Sequence, residues 1–380
     1  MQRIYLDHNA TTPLDPRVVE AMTGALAGTY GNPSSLHWFG QQARAAVEEA
    51  RESVARLVGA QPAEIVFTAS GTEADNMALR GVALAQREPR GRLLVSAIEH
   101  HAVLHCARAL AEEGWPVETV RVTSAGLVDL EDLERKREAG AALVAVMLAN
   151  NETGVVQPLG DVVRLAHARG ALVLCDAVQA VGKLSVDVRA LDIDLLALSA
   201  HKFYGPKGVG ALYVRRGTRL KAFVRGGAQE RNRRAGTENV AGVVGLGCAA
   251  RIAREELARE PPREAVLRDA LEERLLAIAG ARRNGDGARV SNTTNLSFDG
   301  IEAESLVMAL DLAGLAVSSG AACAAGAVEP SHVLRAMGLP PALVQASVRF
   351  SLGRGTTREE IEEAAALVEQ AVARQRARRR

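Results

Sequence analysis

The sequence predicts an α/β protein, with a large, mostly parallel sheet domain followed by a smaller α+β domain. Three observations carry this. Short apolar runs alternate with helix-length stretches over the first 214 residues, the connections between them are short, and the alternation stops near residue 255. Alternation of this kind builds a parallel sheet covered on both faces. A chain of 380 residues also exceeds one small core and suits two lobes.

In chain order the strand-like runs are 64–69, 92–98, 117–122, 142–149, 171–176, 194–200 and 209–214. Helix-length stretches fall at 36–58, 72–86, 102–113 and 159–169. The large lobe is expected over 13–255. The smaller lobe is expected from 1–12 and 256–380. Helices over 240–259 and 263–279 are expected on either side of Pro261-Pro262, which breaks the chain between them. Strands at 295–298 and 348–352 and a helix over 358–374 follow, and the arginine-rich end reads as a frayed, solvated terminus.

Bulk composition excludes several function classes. Charge nearly balances at +1, so no global field argues for nucleic acid or a membrane surface as the main partner. No run of about 18 apolar residues is present, and the N-terminus shows no secretory pattern. Four cysteines, Cys106, Cys175, Cys248 and Cys323, lie far apart without a C-x-x-C pair, as expected of a reduced, cytoplasmic protein. Only five of the 46 basic residues are lysines (Lys136, Lys183, Lys202, Lys207 and Lys221), so chemistry that needs an amine has few candidates.

Four segments carry chemical signals. The first is SAHKFYGPKG, where Lys202 follows an apolar run. A reactive amine needs a pKa lowered by its setting or by a cationic neighbour, although a surface lysine in a Gly-Pro loop has the same local sequence. The second is Asp176 at the end of the 171–176 run. Such an acid can meet a ligand in the sheet crevice or simply cap a helix. The third is TASGTEA, a strand-to-helix junction whose Gly71 and Thr72 amides suit an anion, with a plain N-cap as the competing account. It matches neither the Walker pattern nor the dinucleotide fingerprint. The fourth is SSGAACAAG, whose small residues put Cys323 on a mobile, accessible loop, as a nucleophilic thiol requires. Cys106, Cys175 and Cys248 read as buried structural cysteines. His101 and His105 have i, i+4 spacing, but no H-E-x-x-H pattern or nearby acidic ligand accompanies them, and no metal site is expected.

The order and wording of these segments resemble the cysteine desulfurases of the NifS/IscS type. These are class V aminotransferases within the fold-type I pyridoxal-phosphate enzymes. The strings are YLDHNATTPLDPRV, YGNPSSLH, FTASGTEADN, NNETGVVQPL, CDAVQAVGK, SAHKFYGPKGVGALYV, RRAGTEN, SSGAACAAG, EPSHVLRAMGL and VRFSLGR, which run nearly end to end. The resemblance implies pyridoxal 5'-phosphate as cofactor, L-cysteine as substrate, and alanine plus a persulfide on Cys323 as products. It implies Lys202 as the lysine bonded to the cofactor, His100 stacked on its ring, Asp176 on the pyridine nitrogen and Gln179 on the ring hydroxyl. Asn151 would add a contact, and Gly71, Thr72, Ser199 and His201 would cradle the phosphate. Thr237 would reach the phosphate of a neighbouring subunit, which implies a homodimer with shared active sites. Arg349 would clamp the substrate carboxylate, assisted by Asn32.

The resemblance also implies a sulfur-acceptor protein, either an iron–sulfur scaffold or a tRNA-thiolation protein. The long Cys323 segment resembles the group with an extended cysteine loop. The end VARQRARRR is unlike the segment with which housekeeping members dock the scaffold. Three other readings remain: a selenocysteine lyase, an aminotransferase of the same fold, and a non-catalytic scaffold. A transaminase needs no thiol at 323, and a scaffold has no need of Lys202, Asp176 and Cys323 together.

Overall fold

The computed structural model describes residues 3–86, 91–319, 322–324 and 327–378, with the backbone alone for 322–324 and 327–329. A short strand, β1 (Ile4–Tyr5), begins the chain. A sheet of seven strands follows: β2 (Ile65–Thr68), β3 (Arg92–Ser96), β4 (Val117–Val120), β5 (Ala141–Ala145), β6 (Leu172–Asp176), β7 (Leu195–Ser199) and β8 (Gly210–Val214). Each strand coincides with one of the seven apolar runs. Their order is β2-β8-β7-β6-β5-β3-β4. Neighbours pair in parallel except at β8, which is antiparallel to both β2 and β7.

The runs are apolar throughout because both faces of the sheet are covered. Along β7, Leu196 and Leu198 enter one buried core while Leu195 and Ala197 enter the other, as the two-residue strand period requires. Helices α1 (Pro16–Gly28), α2 (Trp38–Val58), α6 (Leu159–His167) and α8 (Val240–Glu256) cover the first face, and α3 (Gly71–Ala85) and α4 (His101–Glu112) cover the second. The short α5 (Leu130–Arg137) and the single turn α7 (Gln229–Asn232) lie in connections.

The remaining chain builds a second sheet from β9 (Ala281–Arg283), β10 (Thr293–Phe298), β12 (Ser318–Ser319) and β15 (Ser347–Ser351), antiparallel in the order β12-β15-β10-β9. Between them, β11 (Leu315–Ala316) pairs with β1, so Ile4 and Leu6 join the core of this part of the chain. Helices α9 (Glu260–Leu276), α10 (Ala303–Leu312) and α13 (Arg358–Ala377) contribute to the same core. Two one-turn helices, α11 (His332–Ala336) and α12 (Pro341–Gln345), connect β14 (Ala327–Glu329) to β15.

Four expectations are corrected. Pro261 and Pro262 lie inside the first turn of α9 instead of ahead of it, where a missing N–H breaks no helical bond. The last helix continues to Ala377, beyond the expected fraying point, because Arg376 donates from Nε and Nη2 to the Asp299 carbonyl at 3.1 and 2.8 Å. Cys248 is half-buried, with its sulfur beside the Arg17 carbonyl and the Arg251 guanidinium, whereas Cys106 and Cys175 are buried. The Cys323 segment is not an open loop throughout. The backbone of β13 (Ala322–Ala324) pairs antiparallel with β14, and Cys323 lies opposite Val328. The side chain of Cys323 lies outside the described residues. Among those residues, no helix is long and apolar enough to cross a membrane.

Candidate active site

A cavity of about 390 Å³ opens beyond the carboxyl ends of the parallel strands, where ligands of open α/β sheets bind. Five of these strand ends deliver a wall each. After β2 come Ser70, Gly71 and Thr72 at the start of α3, and after β3 comes His100. Met147, Asn151 and Glu152 follow β5, and Val178 and Gln179 follow Asp176 at the end of β6. Beyond β7 come His201 and Lys202, with Ser199 as its last residue. Arg349 and Ser318, register partners on β15 and β12, close the cavity from the other sheet.

The Lys202 amine donates to the carbonyls of Asn9 and Ala10 at 2.6 and 2.8 Å. Burial and the charge of Arg349 lower its pKa to about 8, against the opposing pull of Asp176 and Asp7. The neutral fraction, about a tenth at pH 7 against well under a hundredth for an ordinary lysine, makes it a usable nucleophile and base.

Asp176 is buried at the cavity floor, and one of its oxygens accepts the Val178 N–H at 2.9 Å. Burial raises its pKa to about 6. Beside it, Asp75 is wholly buried in α3, and its Oδ1 has no hydrogen-bond partner among the described residues. Burial and repulsion from Asp176 and Glu99 hold Asp75 well above the usual carboxylate range. Burial also raises Glu99 to about 8. The floor therefore holds acidic groups that resist charging together without a cation.

His100 caps α4, with Nδ1 accepting the Ala102 N–H at 3.1 Å. Burial and the nearby Lys202 hold the ring near pKa 4, so it is neutral. With Nδ1 accepting, Nε2 carries the hydrogen. The anion corner is built differently. The Ser70 hydroxyl accepts the Glu73 N–H at 3.1 Å and caps α3, so the amides of Gly71 and Thr72 open this corner of the cavity with the helix dipole behind them. A Cβ at Gly71 would come within 2.8 Å of Val178 Cγ2, so the close approach of α3 to the β6 turn depends on glycine.

Arg349 is buried. Its Nη2 donates to Asp7 Oδ1 at 2.6 Å and its Nη1 to the Asn151 carbonyl at 3.1 Å. Its Nε has no partner among the described residues. The chain bearing Cys323 leaves the cavity rim at Ser319 and returns to it at His332, so both ends of that segment are fixed at the site.

Of the residues named from sequence, Gly71, Thr72, His100, Asn151, Asp176, Gln179, Ser199, His201, Lys202 and Arg349 line this one cavity. Thr237 does not. It is exposed in the loop before α8 and lines a separate, smaller depression with Arg234 and Glu238. Asn32 also lies outside, exposed in the loop before α2, with its side-chain oxygen taken by the Ser34 N–H at 2.9 Å. The His101 ring lies tilted against those of both His105 and His332, with centroids 4.7 Å apart in each pair. Among the described residues, no group of three or more His, Cys, Asp or Glu is arranged to hold a metal ion.

Sequence reasoning missed the residue that joins these walls. Asn9 donates from its backbone N–H to Ser351 Oγ and from Nδ2 to the Asn151 carbonyl and Thr293 Oγ1. Its carbonyl accepts from Gln179 and Lys202, and its Oδ1 accepts from Lys183 and Asn292. Every polar atom of Asn9 is used, and the residue is 1% exposed. The available signal was the DHNATTP string, in which a polar residue sits between segments that pack against both sheets.

Comparison with known proteins agrees with this geometry. The aminotransferase class-V family profile matches residues 4–364. A cysteine desulfurase from a Nostoc species is 48% identical over 379 residues, covering 99% of this chain and 94% of its own. A NifS-like protein of known structure superposes with a TM-score of 0.92 at 38% identity, covering 98% of this chain and all of its own (100%). A structure of SspA in complex with cysteine gives a TM-score of 0.81 at 34% identity, covering 92% of this chain and 98% of that one. The chain belongs to the class-V aminotransferase family and, within it, to the cysteine desulfurases.

Proposed function

We propose that this protein removes sulfur from L-cysteine with pyridoxal 5'-phosphate as cofactor, leaving alanine and a persulfide on Cys323. One observation carries the reading. A nucleophilic lysine, Lys202, and a buried arginine, Arg349, share one cavity with a floor acid, Asp176, and the Cys323 segment is tethered at its rim.

The residues present fit the cofactor. Asp75 Oδ1 and Arg349 Nε are buried polar atoms without partners among the described residues, and both residues line the cavity, an arrangement that calls for a polar ligand. Asp176 would hold the pyridine nitrogen and Gln179 the ring oxygen, with His100 against the ring and Asn151 beside it. Gly71, Thr72, Ser199 and His201 would take the phosphate. Pyridoxal phosphate supplies, when bound, an electron sink for the substrate's α-carbon.

The chain's own groups perform the remaining work. The Arg349 fork binds the substrate carboxylate in competition with Asp7. Lys202 Nζ takes a proton from the α-carbon and returns one later. Cys323 Sγ, as thiolate, bonds to the substrate sulfur while the substrate's Cβ–S bond breaks. His100, neutral with hydrogen on Nε2, gives the cavity a face that stacks without adding charge.

Two copies are proposed to share their sites, with Thr237 serving the phosphate of the other copy and Asn32 close to the same interface. The exposed apolar side chains Leu26, Tyr30, Leu36 and Trp38, which flank Asn32, support an interface there. The persulfide would pass to a sulfur-acceptor protein, with iron–sulfur assembly as the destination proposed, in a cytoplasmic setting. Borohydride reduction of the protein mixed with pyridoxal phosphate, followed by peptide mapping, tests the site. The label is expected on Lys202, and a label distributed over other lysines would contradict the reading.

A further inference from the structure

A second buried lysine lies behind the cavity and takes no part in the chemistry above. Lys183 Nζ donates to Gln179 Oε1 at 2.7 Å and to Asn9 Oδ1 at 3.0 Å. It is 9% exposed and is not among the residues that line the cavity. Burial lowers its pKa to about 7, with Glu264 opposing the shift and Lys202 and Arg349 adding to it.

An amide has an oxygen side and a nitrogen side, and its partners decide which way it faces. Lys183 donates to both neighbours as an ammonium, and as a neutral amine it still has two N–H groups for the same two oxygens. With Lys183 donating to it, Gln179 turns Oε1 toward the lysine. Its Nε2 then faces the Asn9 carbonyl at 2.9 Å, which can only accept. Both contacts enforce one orientation, and the second N–H of Nε2 is left as the donor Gln179 can offer the cavity it lines.

We infer that Lys183 is a positioning residue: by fixing the amide of Gln179 with N–H toward the cavity, it selects a ring whose oxygen is an anionic acceptor. The inference rests on the pyridoxal-phosphate reading of the cavity. A freely turning glutamine would accommodate a donor or an acceptor equally. The locked one discriminates, because a hydrogen bond to a charged acceptor is strong and an unpaired N–H in a buried site is costly.

Binding of pyridoxal 5'-phosphate and of its 3-deoxy analogue, which lacks the ring oxygen, tests this without turnover. Wild-type protein freed of cofactor is expected to prefer pyridoxal phosphate by at least about tenfold. Lys183→Met, close in length but unable to donate, should reduce that preference several-fold. In Gln179→Leu the same lysine substitution should then add nothing further, because Lys183 acts through Gln179. A lysine that merely stabilised the fold would weaken both ligands alike and leave the ratio unchanged, which overturns the inference.

If Lys183→Met does not fold, Lys183→Gln poses the same question. Its amide can donate to Gln179 or accept from it, so the fixed orientation is lost and the preference should fall several-fold, and an unchanged preference overturns the inference. Failure of wild type to bind pyridoxal phosphate at all overturns instead the reading of the cavity.

Discussion

The amine of Lys202 rests 2.6 Å from the carbonyl oxygen of Asn9, so the reactive lysine is held by a residue that also bonds the turn after β6 and two strands of the second sheet, β10 and β15. Asn9 is bonded to Gln179 and Lys183 on one side and to Thr293 and Ser351 on the other. Site geometry thus depends on packing between the two sheets, and the N-terminal segment works as their common strut.

Replacing Asn9 by Ala is expected to lower stability by about 3 kcal/mol. The substitution removes acceptors from Lys183 and Asn292 and donors from the Asn151 carbonyl and Thr293, all in a buried setting. Urea unfolding of the cofactor-free protein measures this. A loss under about 0.5 kcal/mol, the size typical of an uninvolved surface site, would show that the network is not tight.

Capture of pyridoxal phosphate by the cofactor-free protein should depend on pH through Lys202. Only the neutral amine attacks an aldehyde. With a pKa of about 8, capture below that value should quicken about tenfold per pH unit and level off above it. Stopped-flow absorbance against pH gives the profile. A midpoint near that of an ordinary lysine, or no Lys202 dependence, would contradict the assignment.

Arg349→Ala should raise KM for L-cysteine by about a hundredfold, the loss expected for a bidentate charge-assisted pair. The same change removes a positive charge that lowers the Lys202 pKa, so the capture profile should move to higher pH. Arg349→Lys keeps charge without the planar fork and should fall between the two in KM. An unchanged KM in Arg349→Ala would remove this residue from substrate binding.

Much of this was legible in the sequence because the large sheet is buried on both faces. Seven continuous apolar runs mark seven strands, and the residues just past five of them line the cavity. The reversed direction of β8 was not legible, since an apolar run carries no direction. The Pro261-Pro262 pair misled because a first helical turn tolerates what an interior turn does not. Asn9 escaped notice because its importance lies in contacts across long sequence separation, with Thr293 and Ser351 among them, and Lys183 was counted only as one of five amines because its burial against Asn9 is a tertiary feature. Neither sits in a motif with chemistry of its own. Thr237 and Asn32 were named by resemblance, and a single chain places both outside its own cavity.

The central claim is that Cys323 receives sulfur drawn from L-cysteine. The most direct measurement is alanine and sulfide release from L-cysteine with a thiol reductant, comparing wild type with Cys323→Ala loaded with the same amount of cofactor. The account predicts equal amounts of both products from wild type and neither from the variant, which keeps its cofactor absorbance. Sulfide release that survives the loss of Cys323 would contradict it.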